Sequence, residues 1–508
     1  MTPGVEPAAA PAPVAPGVDG SSPWCTAHET HSGAVILLGD LAFKVKRPVT
    51  LGFLDFSDLG TRQRVCEQEV RLNRRLAPDV YLGVGLLSAP GRPPEPAVVM
   101  RRLPEDRRLT HLVEEGSDID DEIRAIARQV ATFHAGARTG PDIDEEGTRD
   151  ALHARWRANV ARAVATGHAA FSTPALGEVV ELVDRFLAGR DDLFADRLAR
   201  GAIVDGHGDL TTDDAFCLDD GPRLLDCLEF DDRLRYVDRL DDIAFLAMGL
   251  DHLGATAAAG LLVETWASCI GDPAPPSLLH HFIAYRAFVR AEVGAFIGSE
   301  HPEDVETYLA TALAHLRVSA VKLVLVGGPP ASGKSTLAGA VADRLGMAVL
   351  STDRVRKEIA GLDPQVHAPA AFGSGLYDDE HTHATYTAVL ERAERLLRHG
   401  ESVVLDGTWT RASDRRMAAD LAVRTGADLV ELRCDVDTAT ARQRLATRQS
   451  ISDADDVVAA RLRVGADPWP SSTSIDTAAE LGAAADAACR SVRPHPLPAV
   501  RVGSGTWW

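Results

Sequence analysis

The stretch Gly-Pro-Pro-Ala-Ser-Gly-Lys-Ser at residues 328–335 decides the fold of the carboxyl-terminal part of the chain. An apolar run at residues 323–326 leads directly into it, and Thr336 follows it. A strand, a glycine-containing turn, Gly-Lys-Ser-Thr and a helix, in this order, indicate a P-loop. In such a loop, backbone N–H groups point at phosphate oxygens, and the following helix adds the positive end of its dipole. The sequence therefore predicts a nucleotide-binding loop.

The residues of this loop have predicted roles. We expect Lys334 to reach the β- and γ-phosphates and to act in catalysis, and Ser335 to hold Mg²⁺. Gly333 stands where a Cβ would obstruct the phosphate. The other predicted nucleotide-binding positions are Gly328, Pro329, Pro330, Ala331, Ser332 and Thr336. ATP and Mg²⁺ are thus the predicted cofactors.

Further apolar segments follow the P-loop and alternate with helical patterns. One strand is predicted to end at Asp353, the next to end at Asp406, and a fourth to occupy residues 427–434. This alternation indicates a parallel, doubly wound sheet, in which ligands bind at the carboxyl ends of the strands. Asp353 and Asp406 are therefore predicted catalytic residues. One positions the acceptor hydroxyl or acts as base, and the other reaches Mg²⁺ through water.

Arginines are frequent after the fourth strand. Arg444 and Arg448 are predicted nucleotide-binding residues of a lid that neutralises charge on the transferring phosphoryl group. An exposed helix held by salt bridges is the alternative interpretation.

A second pattern occupies the amino-terminal part of the chain. Two short β runs flank Gly39-Asp40, which is a hairpin signal, and Lys44 and Lys46 share one face of the second run. A helical segment carrying Glu69 follows. A strand lysine followed by a helix glutamate is the order found in protein-kinase-like folds, where the lysine contacts nucleotide phosphate. A solvent-exposed strand edge, for which lysine is common, is the alternative.

A third pattern centres on two aspartates. His-Gly-Asp-Leu at residues 207–210 and the downstream Asp226 stand beside two short apolar runs, which could bring both carboxylates to one cleft. Asp209 would accept the proton of an acceptor hydroxyl, and Asp226 would coordinate Mg²⁺. Turn-forming aspartates are the alternative interpretation.

Through Lys44, Glu69, the loop at residues 207–210 and Asp226, residues 27 to about 320 resemble the aminoglycoside-phosphotransferase-type small-molecule kinases. The loop of that family continues as His-Gly-Asp-x-x-x-x-Asn, in which the asparagine is a second metal ligand. This chain has Asp214 at that place. An aspartate still binds Mg²⁺, but its charge repels phosphate when metal is scarce. The resemblance thus implies an active kinase. Because of Asp214, a catalytically inactive, regulatory lobe is the alternative interpretation.

From Val321 to about residue 492 the chain resembles the small P-loop kinases of the gluconate-kinase and zeta-toxin type, through its P-loop, Asp353, Asp406 and the lid arginines. The order of the two parts resembles fused, bifunctional bacterial proteins that join a phosphotransferase-like half to an ATP-binding half. The predicted fold class is accordingly an α+β protein-kinase-like bilobal domain followed by an α/β P-loop domain with a parallel, doubly wound sheet.

Composition narrows the function classes. The formal net charge of −21 argues against a nucleic-acid partner, which needs a surplus of Lys and Arg. The seven cysteines form no Cys-x-x-Cys pair, which favours reduced thiols in the cytoplasm. No run of apolar residues is long enough for a membrane-spanning helix. Residues 1–22 lack the pattern of a signal peptide and are predicted to be a disordered leader.

These patterns predict a domain order and a function. After the leader we expect a kinase-like amino-terminal lobe at 23–105, a helical lobe at 106–318, a P-loop kinase domain at 319–492 and a tail at 493–508. The predicted function is ATP-dependent phosphorylation of a hydroxyl on a small polar molecule such as a sugar or an aminoglycoside. A nucleotide-regulated binding or sensor protein with one inactive half is the alternative. A helix that runs into the P-loop strand without a linker predicts close packing at that junction.

Overall fold

The structure is a computed structural model that describes residues 24–29, 33–51, 54–88, 90–298, 302–363, 378–447 and 465–493. The chain divides into two compact units. The first consists of Met1–Leu112 and Asp213–Asp231, and the second consists of Val113–Thr212 and Asp232–Trp508. The predicted leader and residues 494–508 of the predicted tail lie outside the described residues.

The described residues form strands and helices in the following order along the chain. The strands are β1 (Cys25–Glu29), β2 (Gly33–Leu38), β3 (Leu41–Lys46), β4 (Thr50–Leu51), β5 (Leu54–Asp55), β6 (Tyr81–Leu87), β7 (Glu95–Arg101), β8 (Ile203–Asp205), β9 (Ala215–Leu218), β10 (Gly221–Leu224), β11 (Tyr236–Asp238), β12 (Lys322–Gly327), β13 (Ala348–Ser351), β14 (Val403–Asp406), β15 (Asp428–Asp435) and β16 (Thr473–Asp476). The helices are α1 (Leu59–Asn73), α2 (Leu109–Glu114), α3 (Asp120–Gly136), α4 (Pro141–Asp144), α5 (Arg149–Ala165), α6 (Pro174–Ala188), α7 (Asp191–Ala199), α8 (Arg239–His252), α9 (Thr256–Ile270), α10 (Pro276–Ile297), α11 (Pro302–Ser319), α12 (Lys334–Leu345), α13 (Thr352–Ile359), α14 (Asp379–Arg398), α15 (Ala412–Arg424), α16 (Thr438–Thr447) and α17 (Leu481–Val492). Short 3₁₀ helices occupy Glu105–Arg107, Glu145–Gly147, Ala169–Ser172 and Asp232–Arg235.

The first unit contains an antiparallel five-stranded sheet in the order β1-β2-β3-β7-β6, with α1 packed on it. β2 and β3 form the predicted hairpin, and Gly39 adopts the left-handed φ of 61° that its turn requires. The core between α1 and the sheet includes Cys66, Val70 and Val98. This packing places Glu69, which is fully buried on α1, beside the lysines of β3.

The second unit begins with a helical part that extends from α3 to α11. Ile123, Ile126 and Val130 are buried on one face of α3, as their helical spacing predicts. The long helix α10 packs on α5, α8 and α11. Its Arg286 donates to both carboxylate oxygens of Asp241, at 2.7 and 3.0 Å. A buried ion pair within the helical part therefore accounts for this arginine.

The second unit ends with a parallel five-stranded sheet in the order β13-β14-β12-β15-β16. Every residue of the central strand β12 is buried, which explains its continuous run of apolar residues. α12 and α17 pack on each other and on the sheet, and α14 and α15 form a second pair that does the same. The predicted fold class, with α+β architecture followed by a parallel, doubly wound sheet, is confirmed.

The helical part and the P-loop part of the second unit meet at backbone distance. A Cβ at Gly189, after α6, would lie 1.9 Å from the carbonyl oxygen of Thr425, after α15. A Cβ at Gly426 would lie 2.4 Å from the carbonyl oxygen of Arg185. Only glycine permits such an approach at these positions. The close packing expected at this junction is therefore present.

Candidate active site

The P-loop joins the end of β12 to the start of α12. Gly328 and Gly333 adopt positive φ angles of 149° and 85°, and a Cβ at Gly328 would lie 2.6 Å from the hydroxyl oxygen of Ser332. That hydroxyl is buried and has no hydrogen-bond partner within the part of the chain that the structure describes. Lys334, the first residue of α12, is also buried. The loop thus has the bends and the helix start that phosphate binding requires.

Asp406 ends β14 in the strand position next to the end of β12. Burial raises the pKa of Asp406, and the neighbouring Lys334 ammonium and Ser335 hydroxyl counteract part of this increase. Its Oδ1 atom is buried and lacks a hydrogen-bond partner among the described residues. A buried carboxylate oxygen without a partner beside a P-loop serine fits a Mg²⁺ site, since this cation prefers oxygen ligands.

Asp353 is one element away from its predicted place. β13 ends at Ser351, so Asp353 belongs to the first turn of α13 instead of ending the strand. The chain turns away from the sheet at Thr352, whose hydroxyl donates to the carbonyl oxygen of Asp406 at 3.1 Å. Asp353 pairs with Arg356 at 3.1 Å, and its charge contributes to the raised pKa of Asp406. The structure therefore still brings the two predicted carboxylates close together.

The predicted lid arginines are only partly described. Arg444, on α16, donates to the carbonyl oxygen of Thr477 at 2.7 Å. Its guanidinium lies 3.3 Å from the position of a Cβ at Gly333, so it borders the P-loop. Arg448 lies outside the described residues, and its role stays a prediction.

Aromatic side chains next to the P-loop were not anticipated from the sequence. Trp409, three residues after Asp406, is fully buried with a φ of 52°, and a Cβ at Gly327 would lie 2.3 Å from the ring of Trp469. The guanidinium of Arg415 lies 5.1 Å from the centre of the Trp469 ring and donates to the carbonyl oxygen of Trp409 at 2.6 Å. The Gly-Thr-Trp that follows Asp406 was the available signal. These residues fix the backbone beside the P-loop.

The first unit contains a second cluster of charged residues. Glu69 forms ion pairs with Lys44, at 3.0 Å, and with Lys46, at 2.7 Å, which confirms that both lysines are on one face. Lys44 also pairs with Asp226, and Lys46 pairs with Glu229 at 2.5 Å. The predicted pairing of Lys44 with Glu69 is therefore present, but Glu69 is shared between two lysines.

The pKa values of this cluster are coupled through burial and charge. Burial lowers the pKa of Lys44, but Asp226, Glu69 and Glu229 more than offset this effect, so its pKa is raised well above the usual value. Burial raises the pKa of Glu229, with Lys46 acting against it. Glu229 was missed from the sequence, where the only signal was its place three residues after Asp226.

The loop that carries Asp209 is held by a buried carboxylate of the second unit. Asp242 accepts from the backbone N–H groups of His207 and Gly208, at 2.7 and 2.9 Å, and lies 3.0 Å from Nε2 of His134. Burial alone would raise the pKa of Asp242, but His134 and these N–H groups hold it well below its usual range. The loop is thus fixed on both sides of the Gly208 peptide.

The predicted residues of the amino-terminal site are divided between the two units. Asp209 belongs to the second unit, whereas Asp214 and Asp226 belong to the first. Asp213, next to Asp214, accepts from the Thr110 hydroxyl at 2.7 Å. The convergence of Asp209 and Asp226 in one cleft stays a prediction.

Among the described residues, no three His, Cys, Asp or Glu side chains are grouped in a way that would hold a metal by themselves. A Mg²⁺ ion bound largely through substrate phosphates needs only one or two protein carboxylates.

A search of the described residues found no helix with the length and apolar composition to span a membrane.

Comparison with known proteins identifies the relatives of this chain. It is 42% identical over 462 residues to the uncharacterized protein Rv2004c of Mycobacterium tuberculosis (strain ATCC 25618 / H37Rv). The alignment covers 90% of this chain and 93% of the relative. The match to the uncharacterized protein Mb2027c of Mycobacterium bovis has the same identity and coverage. The chain belongs to the family of these mycobacterial proteins. Within it, residues 323–467 match the model of an AAA domain, which includes the P-loop.

Some solved structures also resemble parts of this family member. A sugar kinase from Janibacter sp. HTCC2649 is 19% identical, with a TM-score of 0.28, and covers 34% of this chain and 96% of its own. A gluconokinase from Sinorhizobium meliloti 1021 is 18% identical, with a TM-score of 0.26, and covers 34% and 91%. A choline/ethanolamine kinase family protein from Mesorhizobium loti is 11% identical, with a TM-score of 0.36, and covers 59% and 88%. TM-scores this low establish no activity.

Proposed function

We propose that this protein is an ATP- and Mg²⁺-dependent phosphotransferase that acts on a hydroxyl group of a small polar molecule, of the sugar or aminoglycoside type. The observation that carries the proposal is the grouping of Lys334 and Ser335 with the buried Oδ1 of Asp406. The P-loop part is therefore the better supported catalyst. The proposed domain boundaries are those predicted from the sequence.

Residues around the P-loop divide the chemical tasks. Ser335 and Asp406 would hold Mg²⁺, which neutralises charge on the phosphates when it is bound. The loop N–H groups and Lys334 orient the β- and γ-phosphates, and Arg444 borders the same loop. Asp353, oriented by Arg356, accepts the proton of the acceptor hydroxyl. The hydroxyl oxygen then bonds to the γ-phosphorus, and the bond between that phosphorus and the ADP oxygen breaks, so ADP is released.

The first unit supports a second nucleotide site. Lys44, oriented by Glu69, would contact phosphate, and Asp226 and Asp214 would hold Mg²⁺. In the structure Asp226 is paired with Lys44, so nucleotide and metal must separate these two charges before either can act. Asp209 keeps its predicted role as proton acceptor.

A regulatory function is the second candidate. Two observations favour it: the family's metal-binding asparagine is replaced by Asp214, and Asp226 is neutralised by Lys44. In this case the kinase-like half would bind ATP without turnover and control the P-loop half.

An ADP-release assay with ATP, Mg²⁺ and a panel of sugars, aminoglycosides and nucleosides tests the proposal. The proteins compared are the wild type, Lys334→Ala and Asp209→Asn. We expect acceptor-dependent ADP release that Lys334→Ala abolishes. Loss in Asp209→Asn alone would assign the chemistry to the kinase-like half. ATP binding without release for any acceptor would favour the regulatory function.

A further inference from the structure

A cavity of about 200 Å³ lies where the helical part of the second unit meets the P-loop part, and no step proposed above uses it. Its wall is formed by one face of α6, the end of α11, the first residues of β12 and β15, and the residue after α17. We call it the junction cavity. Its charged lining residues are Glu178, Arg185, Arg317, Lys322, Asp428 and Arg493.

The charges around the junction cavity do not balance. Arg317 is matched by Glu178, which accepts two hydrogen bonds from it at 2.7 Å each. Asp428, in contrast, serves two cations, since it pairs with Arg185 at 2.7 Å and also with Lys322. With Arg493 included, the wall carries four cations and two carboxylates, an excess of two positive charges.

Arg493 contributes the most isolated of these charges. The only hydrogen bond of its guanidinium in the described residues is a long one of 3.5 Å to the carbonyl oxygen of Leu345, and no described carboxylate pairs with it. Burial accordingly lowers the pKa of Arg493, whereas the hydrogen bonds of Glu178 raise the pKa of Arg317 in the same wall. A partly buried guanidinium without a counter-charge has an unmet preference for an anion.

We propose that the junction cavity binds a small dianion of the phosphate or phosphomonoester class, held by Arg493, Lys322 and Arg185. Two negative charges would cancel the excess in the wall, and the guanidinium fork matches phosphate oxygens. The cavity is large enough, since a cavity of about 150 Å³ admits benzene. Leu182 on α6 lines it and would pack against the carbon skeleton of a phosphomonoester.

The junction cavity and the P-loop lie at opposite ends of β12. The anion would contact α6 of the helical part and the first residue of β12 at once. The P-loop begins beyond the other end of β12, at Gly328, six residues after Lys322. At about 3.3 Å per residue the two anion sites are separated by roughly 20 Å, so they are distinct and can be occupied together.

Calorimetric titration of the full chain with inorganic phosphate tests this proposal. The titrations use Lys334→Ala, because the P-loop also binds phosphate. Adding Arg493→Gln should weaken phosphate binding about ten-fold or more, since it removes a charged hydrogen-bond donor. Adding Arg490→Gln, at an exposed position of α17 just before Arg493, should leave it unchanged. If Arg493→Gln does not fold, Leu182→Trp is the substitute test. This variant fills the cavity without removing a charge and should abolish phosphate binding.

The titration outcomes are distinct. Competition by glycerol phosphate would identify a phosphomonoester as the ligand, and phosphate binding without such competition would identify free phosphate; either supports the proposal. Absence of phosphate binding by Lys334→Ala at millimolar concentrations would overturn it. Equal effects of Arg493→Gln and Arg490→Gln, or tighter binding of succinate than of phosphate, would also overturn it.

Discussion

The P-loop and the lysine cluster of the first unit are two candidate phosphate sites built in opposite ways. The P-loop relies on backbone bends at Gly328 and Gly333 and leaves the Oδ1 of Asp406 without a partner in the described residues. The cluster satisfies its charges internally, because Lys44 and Lys46 share Glu69 and pair with two further carboxylates. The first site is prepared for a ligand, whereas the second must break an ion pair to accept one.

This difference has an energetic consequence. A ligand at the P-loop finds the backbone bends already formed, and two buried oxygen atoms there lack partners among the described residues, so binding requires little reorganisation. A ligand at the cluster must compete with the attraction of Asp226 for Lys44. We therefore expect tighter nucleotide binding at the P-loop and greater structural stabilisation by the charged residues of the cluster.

Gly333→Ala should produce the largest effect on nucleotide binding. Gly333 has a φ of 85°, and an added Cβ would point to where the phosphate approaches, 3.3 Å from Arg444. We expect ATP affinity at this site to fall by about 100-fold, the equivalent of losing one or two charged hydrogen bonds. Calorimetric titration with ATP and Mg²⁺ in a Lys44→Ala background measures this site alone.

The matched control for this change lies at the other end of α12. Gly346 also has a positive φ, of 64°, but a Cβ there would meet nothing within 4 Å. Gly346→Ala should cost about 1 kcal/mol of stability, as alanine does in the left-handed region, without changing ATP affinity. Equal losses of ATP affinity in both variants would show that the P-loop backbone is not the phosphate ligand.

The same difference explains how far the sequence could be interpreted. The P-loop is one contiguous stretch, so its strand, turn and helix were predictable from local chemistry. Residues that support it from a distance, such as Arg415 and Trp469, carry no local signal, because folding alone brings Trp469 beside Gly327 and Arg415 beside Trp469. The early end of β13 was missed because strand and helix propensities do not determine where Thr352 leaves the sheet.

The lysine cluster could be predicted only in part. Alternation along β3 placed Lys44 and Lys46 on one face, and the order of strand and helix suggested Glu69 as partner. Glu229 lies more than 180 positions from Lys46, so nothing in the sequence pairs them. The sharing of one glutamate by two lysines depends on side-chain packing, which residue spacing does not encode.

Glu69→Gln should show the structural role of the cluster. It leaves two largely buried lysines with fewer counter-charges, and breaking such a pair typically costs about 3 kcal/mol or more. Hydrogen exchange should therefore speed up in peptides from β3 and α1, with little change in peptides from α12. Glu67→Gln, at an exposed position of α1, is the control. Unchanged exchange in β3 would mean that the cluster contributes little to stability.

The raised pKa of Asp406 predicts a pH dependence at the P-loop. Because its pKa is raised, Asp406 takes up a proton at a pH above the ordinary aspartate value of about 4, and that proton competes with Mg²⁺. The gain in ATP affinity that Mg²⁺ gives should decline, by at most about ten-fold per pH unit, as the pH falls through the pKa of Asp406. Titrations from pH 8 to pH 5 in a Lys44→Ala background measure it.

Asp406→Asn separates this effect from protonation of ATP itself. The variant should have a smaller Mg²⁺-dependent gain at neutral pH, and the pH dependence that remains should be that of the nucleotide. Identical pH profiles of ATP affinity in the wild type and Asp406→Asn would show that Asp406 does not bind the metal. Metal binding would then not explain why its Oδ1 lacks a hydrogen-bond partner among the described residues.

Asp214→Asn should have the smallest effect, and it tests whether the first unit binds nucleotide at all. The change introduces the asparagine that the aminoglycoside-phosphotransferase-type kinases, which this part of the sequence resembles, have at this place, and it removes one negative charge that repels phosphate when Mg²⁺ is absent. Two unit charges about 4 Å apart in water interact by about 1 kcal/mol, which is the effect we expect for this partly exposed charge. In a Lys334→Ala background we therefore expect metal-free ATP binding to strengthen about five-fold. Asp213→Asn is the control, because its carboxylate is engaged by Thr110. If the Lys334→Ala background, Asp214→Asn and Asp213→Asn bind ATP with equal affinity, Asp214 does not face the nucleotide. The charged residues of the first unit would then serve only to stabilise its structure.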